Sequence, residues 1–167
     1  MKKRVLSFVL AVAMLLSVTP CAVFAMEWTG AVIDTNVIWN DGDVVNGATI
    51  RGNVTITVKG TVTVAGTIRL SPDAVCNVTF NGENGAKLIR SADFTGQMFY
   101  AEGVSGNFQK LTFNDITLDG GAVWTGDVDK TLNRGKTNSG VKAKGSVLYL
   151  VYASAVLNNS VLQNHDV

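Results

Sequence analysis

Asp41 and Asp43 flank Gly42 in "WNDGDV", and Asp127 and Asp129 flank Val128, with Asp119 upstream of that pair. A D-x-D pair can contribute to a calcium site, since calcium takes about six to eight oxygen ligands. Calcium is the one cofactor these residues point to, and two aspartates are a small part of such a shell. Aspartate also favours turns for its own backbone chemistry, so solvated turn aspartates are the simpler reading. Glycoside hydrolysis needs two facing carboxylates at a set separation, and no pair in this sequence is singled out by spacing. His165 is the only histidine and lies close to the end of the sequence. No G-x-S-x-G marks a nucleophile to work with it. No catalytic residue is therefore assigned. Trp28, Trp39, Trp124, Tyr100, Tyr149 and Tyr152 could stack on sugars, although packing in the core or at a coil edge is the expectation for most of them. Trp124 opens the polar stretch 122–145 and is the aromatic to test for ligand contact, with Asp127 and Asp129 beside it. That stretch sets Lys130, Arg134, Lys136, Lys142 and Lys144 against the two aspartates. Its positive excess could meet an anionic glycan, or be a solvated face.

Any such site has to be positioned by the rest of the chain. Residues 1–25 read as a signal peptide. Lys2, Lys3 and Arg4 precede an apolar run from Val5 to Val18, Pro20 ends it, and Val23-Phe24-Ala25 is a suitable cleavage site. The run is short for a spanning helix, which needs about 20 residues. An uncleaved anchor is the rival reading. Cleavage leaves residues 26–167, with Lys+Arg reduced from 14 to 11 against 13 Asp+Glu. That balance offers nothing to nucleic acid, and no membrane span is expected after cleavage. Of the two cysteines only Cys76 remains, so no internal disulfide can form, and a buried Cys76 is expected.

Strict alternation marks "NVTITVKGTVTVAGTIRL", residues 53–70. Val54, Ile56, Val58, Val62, Val64, Ile68 and Leu70 are all even-numbered, and Gly60 and Gly66 interrupt the series without shifting its parity. Alternation is the signature of a strand with one buried face. Two shapes can hold it. Antiparallel hairpins would turn at Lys59-Gly60 and Ala65-Gly66, but their strands would be about four residues long. A coil that turns a corner at each glycine keeps every even position inward on both sides of the corner, and successive coils then stack in parallel. Further strand candidates at 48–50, 75–80, 86–89, 97–100, 110–113, 116–118, 147–152 and 155–162 fit such a coil. Repetition supports it: "LTFNDITLDG" at 111–120 matches "VLNNSVLQN" at 156–164 with Asn114 set on Asn158, and "VTFNG" at 78–82 matches "LTFND". The period is 33 and then 44 residues, the longer one containing the polar loop at about 122–145.

With these segments in place, the pattern "TVTVAGTIRLSPDA…VTFNGENGAKLIRS…MFYAE…KLTFNDITLDGGAVW…VLNNSVLQN" resembles right-handed parallel β-helix repeats of the pectin-lyase-like superfamily. It is similar in particular to the N-terminal part of large Gram-positive adhesin-like surface proteins. The resemblance covers nearly all of residues 26–167. It implies an all-β stacked cylinder with turn asparagines, here Asn81, Asn114 and Asn158, in left-handed geometry. It implies a secreted bacterial protein, extracellular or in the cell wall, acting as a non-catalytic structural or adhesive module. Its partner would be an extracellular glycan or a host surface ligand. The alternative is a polysaccharide lyase or hydrolase of the same fold, with its site mostly beyond Val167. "QNHDV" follows a strand with no cap, which leads to the expectation that further coils follow. The sequons at Asn53, Asn77 and Asn158 are read as ordinary strand and turn chemistry.

Exported protein is expected to begin at Met26. N-terminal sequencing checks this, and an intact Met1 would contradict it.

Overall fold

A computed structural model describes residues 25–121 and 147–164. Trp124, Asp127, Asp129, His165, the basic stretch and the signal segment fall outside the described residues. None of the described residues is helical, so none forms a helix that could cross a membrane. Eleven strands make up the described fold: β1 (Glu27–Ile33), β2 (Val37–Trp39), β3 (Val44–Ile50), β4 (Val54–Leu70), β5 (Asn77–Arg90), β6 (Phe99–Glu102), β7 (Gln109–Asn114), β8 (Thr117–Asp119), β9 (Leu148–Val151), β10 (Ala153–Asn158) and β11 (Val161–Gln163).

Every strand-to-strand pairing is parallel. The hairpin alternative is thereby excluded for residues 53–70, and the all-β parallel arrangement fits a β-solenoid. The registers sort the strands into three faces. On the first, β2, the start of β4, the start of β5, β7 and β10 follow one another. On the second come the start of β1, the start of β3, Thr61–Val64, Lys87–Arg90, β8 and β11. The third carries the ends of β1, β3 and β4, then β6 and β9. Along the first face the coil lengthens. Val37 pairs with Ile56, 19 residues on. Val54 pairs with Val78 after 24, Val78 with Leu111 after 33, and Leu111 with Ala155 after 44.

Alternation does what the opening pattern required. Val54, Ile56, Val58, Val62, Val64, Ile68 and Leu70 are all buried. Apolar side chains of successive coils therefore stack inside the solenoid. Phe80 lies on Phe113 with centroids 5.1 Å apart and planes at 15°, and Phe99 meets both edge-on at 5.3 and 5.2 Å. Trp39 continues the column at 5.9 Å from Phe80. Such pairs add to the burial of their large apolar areas. Cys76 is fully buried and unpaired.

The two glycines of β4 serve different ends. Gly60 has φ +67°, the corner conformation that a side chain resists. Gly66 does not have a positive φ. A Cβ there would lie 2.5 Å from the Gly47 backbone nitrogen, so close approach of two coils requires this glycine.

Outside, the asparagines at the end of the first face form a ladder. Asn114 Nδ2 donates to Asn81 Oδ1, and Asn158 Nδ2 donates to Asn114 Oδ1, both at 2.8 Å. Their registers are Asn81 to Asn114 to Asn158. The expectation of left-handed backbone at these asparagines is corrected. Positive φ falls one residue later, at Asp115 (55°) and Asn159 (48°). The asparagine is the last residue in strand geometry, which aims its amide along the stack, and the next residue makes the bend. In the third coil the bend is later still, at Asn84 and Gly85.

A second row opens the first face. Asn77 donates to Asn53 Oδ1 from its side chain at 3.0 Å and its backbone N–H at 3.2 Å, and Thr55 N–H donates to Asn36 Oδ1 at 2.8 Å. Of these sequon asparagines, Asn53 lies in the bend before β4 and Asn77 is the first residue of β5.

Replacing Asn114 by Val should destabilise by about 1–2 kcal/mol, the net worth of its two amide bonds. Gly66→Ala should cost about 1–3 kcal/mol, since backbone has to move to admit the methyl group. Urea denaturation of each variant against the parent chain checks both values.

Candidate functional site

The acidic residues are committed to architecture. Asp43 has the inward parity of Val45, and both are buried. Its carboxylate accepts hydrogen bonds from the N–H of Met26 (2.7 Å), the N–H of Asn40 (2.9 Å) and Trp28 Nε1 (3.3 Å). Asp41 is exposed, and its Oδ1 accepts the N–H of Thr61 at 2.7 Å beside the Gly60 corner. The reading of both as solvated turn aspartates holds only for Asp41, and there with a bond to the next coil. Asp119 is 3% exposed. Lys87 Nζ lies 2.7 Å from Oδ2, and Gln163, Asn164 and the N–H of Gly121 also donate to the carboxylate. Burial alone would raise its pKa. The bonds from Lys87, Gln163, Gly121 and Asn164 outweigh that and bring it down to about 2. Among the described residues no group of three or more His, Cys, Asp and Glu is placed to hold a metal ion.

What the surface does present is a groove of about 480 Å³ on the third face, lined by Thr49, Arg69, Leu70, Pro72, Tyr100, Glu102, Gly103 and Val104. The register explains why these residues meet. Thr49 pairs with Arg69, Arg69 with Tyr100, and Tyr100 with Tyr149, so all four side chains project outward from successive coils. The walls come from extra chain at the corner between the third and first faces. Pro72 lies in the segment joining β4 to β5, and Gly103 and Val104 in the one joining β6 to β7.

Tyr100 is the centre of the row. The Arg69 guanidinium carbon is 4.5 Å from its ring centroid. Tyr149 stacks on it at 4.7 Å and 23°. By register these two lie on opposite sides, so both ring faces are covered. The Tyr100 hydroxyl also bonds Glu102. The expectation for the tyrosines is packing in the core or at a coil edge, and none of the three belongs to the core. Tyr100 and Tyr149 are half-buried on the outer surface, and Tyr152 is 52% exposed. Of the tryptophans, Trp39 is fully buried and Trp28 half-buried.

Chemically the groove combines an apolar wall (Leu70, Pro72, Val104) with a fixed cation, a carboxylate and a threonine. That set can hold a ring with polar substituents at its rim. The spacing of Arg69, Tyr100 and Glu102 escaped sequence reasoning, because they come from two coils 31 residues apart. One signal was available: Arg69 is the only charged residue at an outward position between Gly60 and Leu70.

Arg90 escaped it as well, though it continues the inward parity of Ala86 and Leu88. It is 2% exposed, and burial lowers its pKa to about 10. Its Nη1 donates to the Gly96 carbonyl, and its guanidinium lies 5.4 Å from the Phe94 ring centroid. Among the described residues Nε and Nη2 have no hydrogen-bond partner.

No protein-family model, curated protein or solved structure matches the chain.

Because the folded Asp119 pKa lies below its ordinary value, its stabilisation is fully present above about pH 4 and is lost as pH falls towards 2. Asp119→Asn should therefore cost about 2 kcal/mol at pH 7 and much less at pH 2. Denaturation of both chains at the two pH values checks the sign.

Proposed function

We propose that the chain is a secreted right-handed parallel β-helix of the pectin-lyase-like kind, acting as a non-catalytic structural or adhesive module outside a bacterial cell. The observation that carries this reading is the fate of the polar residues. Asp43, Asp119 and the asparagines of both rows are bonded along the stack, where they hold coils together. Lyase chemistry needs a base and positive charge converging on one carbon, and these carboxylates are directed to backbone N–H groups and side chains of neighbouring coils instead. A module that must be long, stiff and resistant outside the cell is served by that allocation.

Adhesion is assigned to the third-face groove, with an extracellular glycan as its partner. The apolar wall would lie against the carbon face of a sugar ring, and Arg69, Glu102 and Thr49 would meet its hydroxyl or carboxylate groups. The stretch 122–145, which carries Trp124, Asp127 and Asp129, is a second candidate for contact with an anionic glycan through its positive excess. No cofactor is needed for this role.

A glycan array probed with the purified chain should show weak binding that fades with salt and drops at least several-fold with Arg69→Ala. Polygalacturonate should stay intact with or without calcium. Calcium-dependent unsaturated product would promote the lyase alternative, and binding unaffected by Arg69→Ala would remove the groove from the account.

A further inference from the structure

Asp43 is 1% exposed, and its carboxylate is held by three N–H donors: Met26, Asn40 and Trp28. All three are neutral in the unprocessed chain. Among the described residues neither ion pair reaches Asp43, since the lysines involved are bonded to Glu83 and Asp119. Buried carboxylates are as a rule paired with an opposite charge. The shortest of its three bonds, 2.7 Å, comes from the backbone nitrogen of Met26. That is the atom which cleavage after Ala25 would turn into the chain's N-terminus.

Hydrolysis of the Ala25–Met26 bond adds water across the amide. Ala25 leaves with a carboxylate, and Met26 keeps its nitrogen as an amine. An α-amine has an ordinary pKa of about 7.7–8.0 and takes up a proton near neutral pH. The same nitrogen then carries a positive charge and three donors instead of one. The surroundings already hold it in place. The Val44 N–H donates to the Met26 carbonyl at 2.9 Å, and Glu27 is in register with Val44. Ala25 and Met26 are both exposed. Gly42, φ +85°, turns the Asp43 corner beside them, and a Cβ on it would lie 3.3 Å from the Ala25 Cβ.

We propose that Asp43 is the receptor for the mature N-terminus. Removal of residues 1–25 converts a hydrogen bond from a neutral N–H into a partly buried ion pair, which fastens β1 onto β3. Processing thereby completes the fold, and the unprocessed chain keeps a looser first coil. This site is independent of the groove and of any ligand.

The test compares three forms of the chain. One starts at Met26 with a free amine, the second carries a Gly-Ser-Ala extension before Met26, and the third is the Met26 form acetylated at its α-amine. Mass spectrometry verifies each terminus. The free-amine form should melt several degrees above the other two, and the amides of Trp28 to Ile33 should exchange more slowly in it. Asp43→Asn should lower melting in the free-amine form and remove its advantage over the extended form. Equal melting of free and acetylated forms would overturn the proposal, as would an advantage that survives Asp43→Asn. If Asp43→Asn does not fold, the acetylation comparison decides alone, because it restores a neutral amide N–H at Met26 without changing any other residue.

Discussion

The corner after the first face is the constraint on which the stack depends. A parallel coil can be laid on another only if each corner returns the inward side chains to the core, and this corner does so at different lengths: Ile89 lies nine residues after Phe80, while their partners Asp119 and Phe113 are six apart. The asparagine ladder fixes the register of the coils where they enter that corner. Asn81, Asn114 and Asn158 can bond only when the coils are in register, and the residue after the last two takes the left-handed turn. Each amide bond contributes roughly 1 kcal/mol, but the three asparagines select one register out of many. Ser160 reinforces the last described corner: its hydroxyl donates to the Phe113 carbonyl and accepts the N–H of Ile116.

That corner varies by only a few residues, and most of the change in coil length falls at the others. The coil grows from 19 to 44 residues along the first face, and the added chain falls between the third and first faces or between the second and third. The interior does not change with it. Phe80, Phe99 and Phe113 still meet at 5.1 to 5.3 Å across the third and fourth coils. A rigid core with loops collected at two corners gives the third face its groove. The residues that could recognise something are presented by the scaffold, and the scaffold's own polar residues are not available for it.

How much of this was legible depends on sequence distance. Alternation over 53–70 reported both the inward set and the parity-preserving corners, because side-chain direction is a local property. The matched "FND" and "LNN" segments placed Asn114 beside Asn158, since stacking repeats a local motif. The first coil was missed before Ala48: β1 holds outward Val32 and inward Ile33 side by side, and β2 has only three residues. The purpose of Gly66 was missed because it lies in the coil beneath. So was the role of Asp43, whose partners come from residues 26, 28 and 40, and which reads in sequence as a solvated turn aspartate. The groove draws its charged and aromatic members from different coils, and nothing in a linear pattern ties Arg69 to Tyr100 and Glu102.

Parallel, in-register stacking is the central claim, and cysteine crosslinking on the first face tests it most directly. Thr55 pairs with Thr79, and Thr79 with Thr112, all three half-buried on the outer surface. Adjacent strands place such Cα atoms about 4.8 Å apart, within disulfide reach. With Cys76 replaced by Ser, the pairs Thr55→Cys with Thr79→Cys and Thr79→Cys with Thr112→Cys should oxidise readily to intramolecular disulfides. Thr55→Cys with Thr112→Cys, two coils apart, should stay reduced. Ready crosslinking of the distant pair together with failure of the two near pairs would contradict the stack.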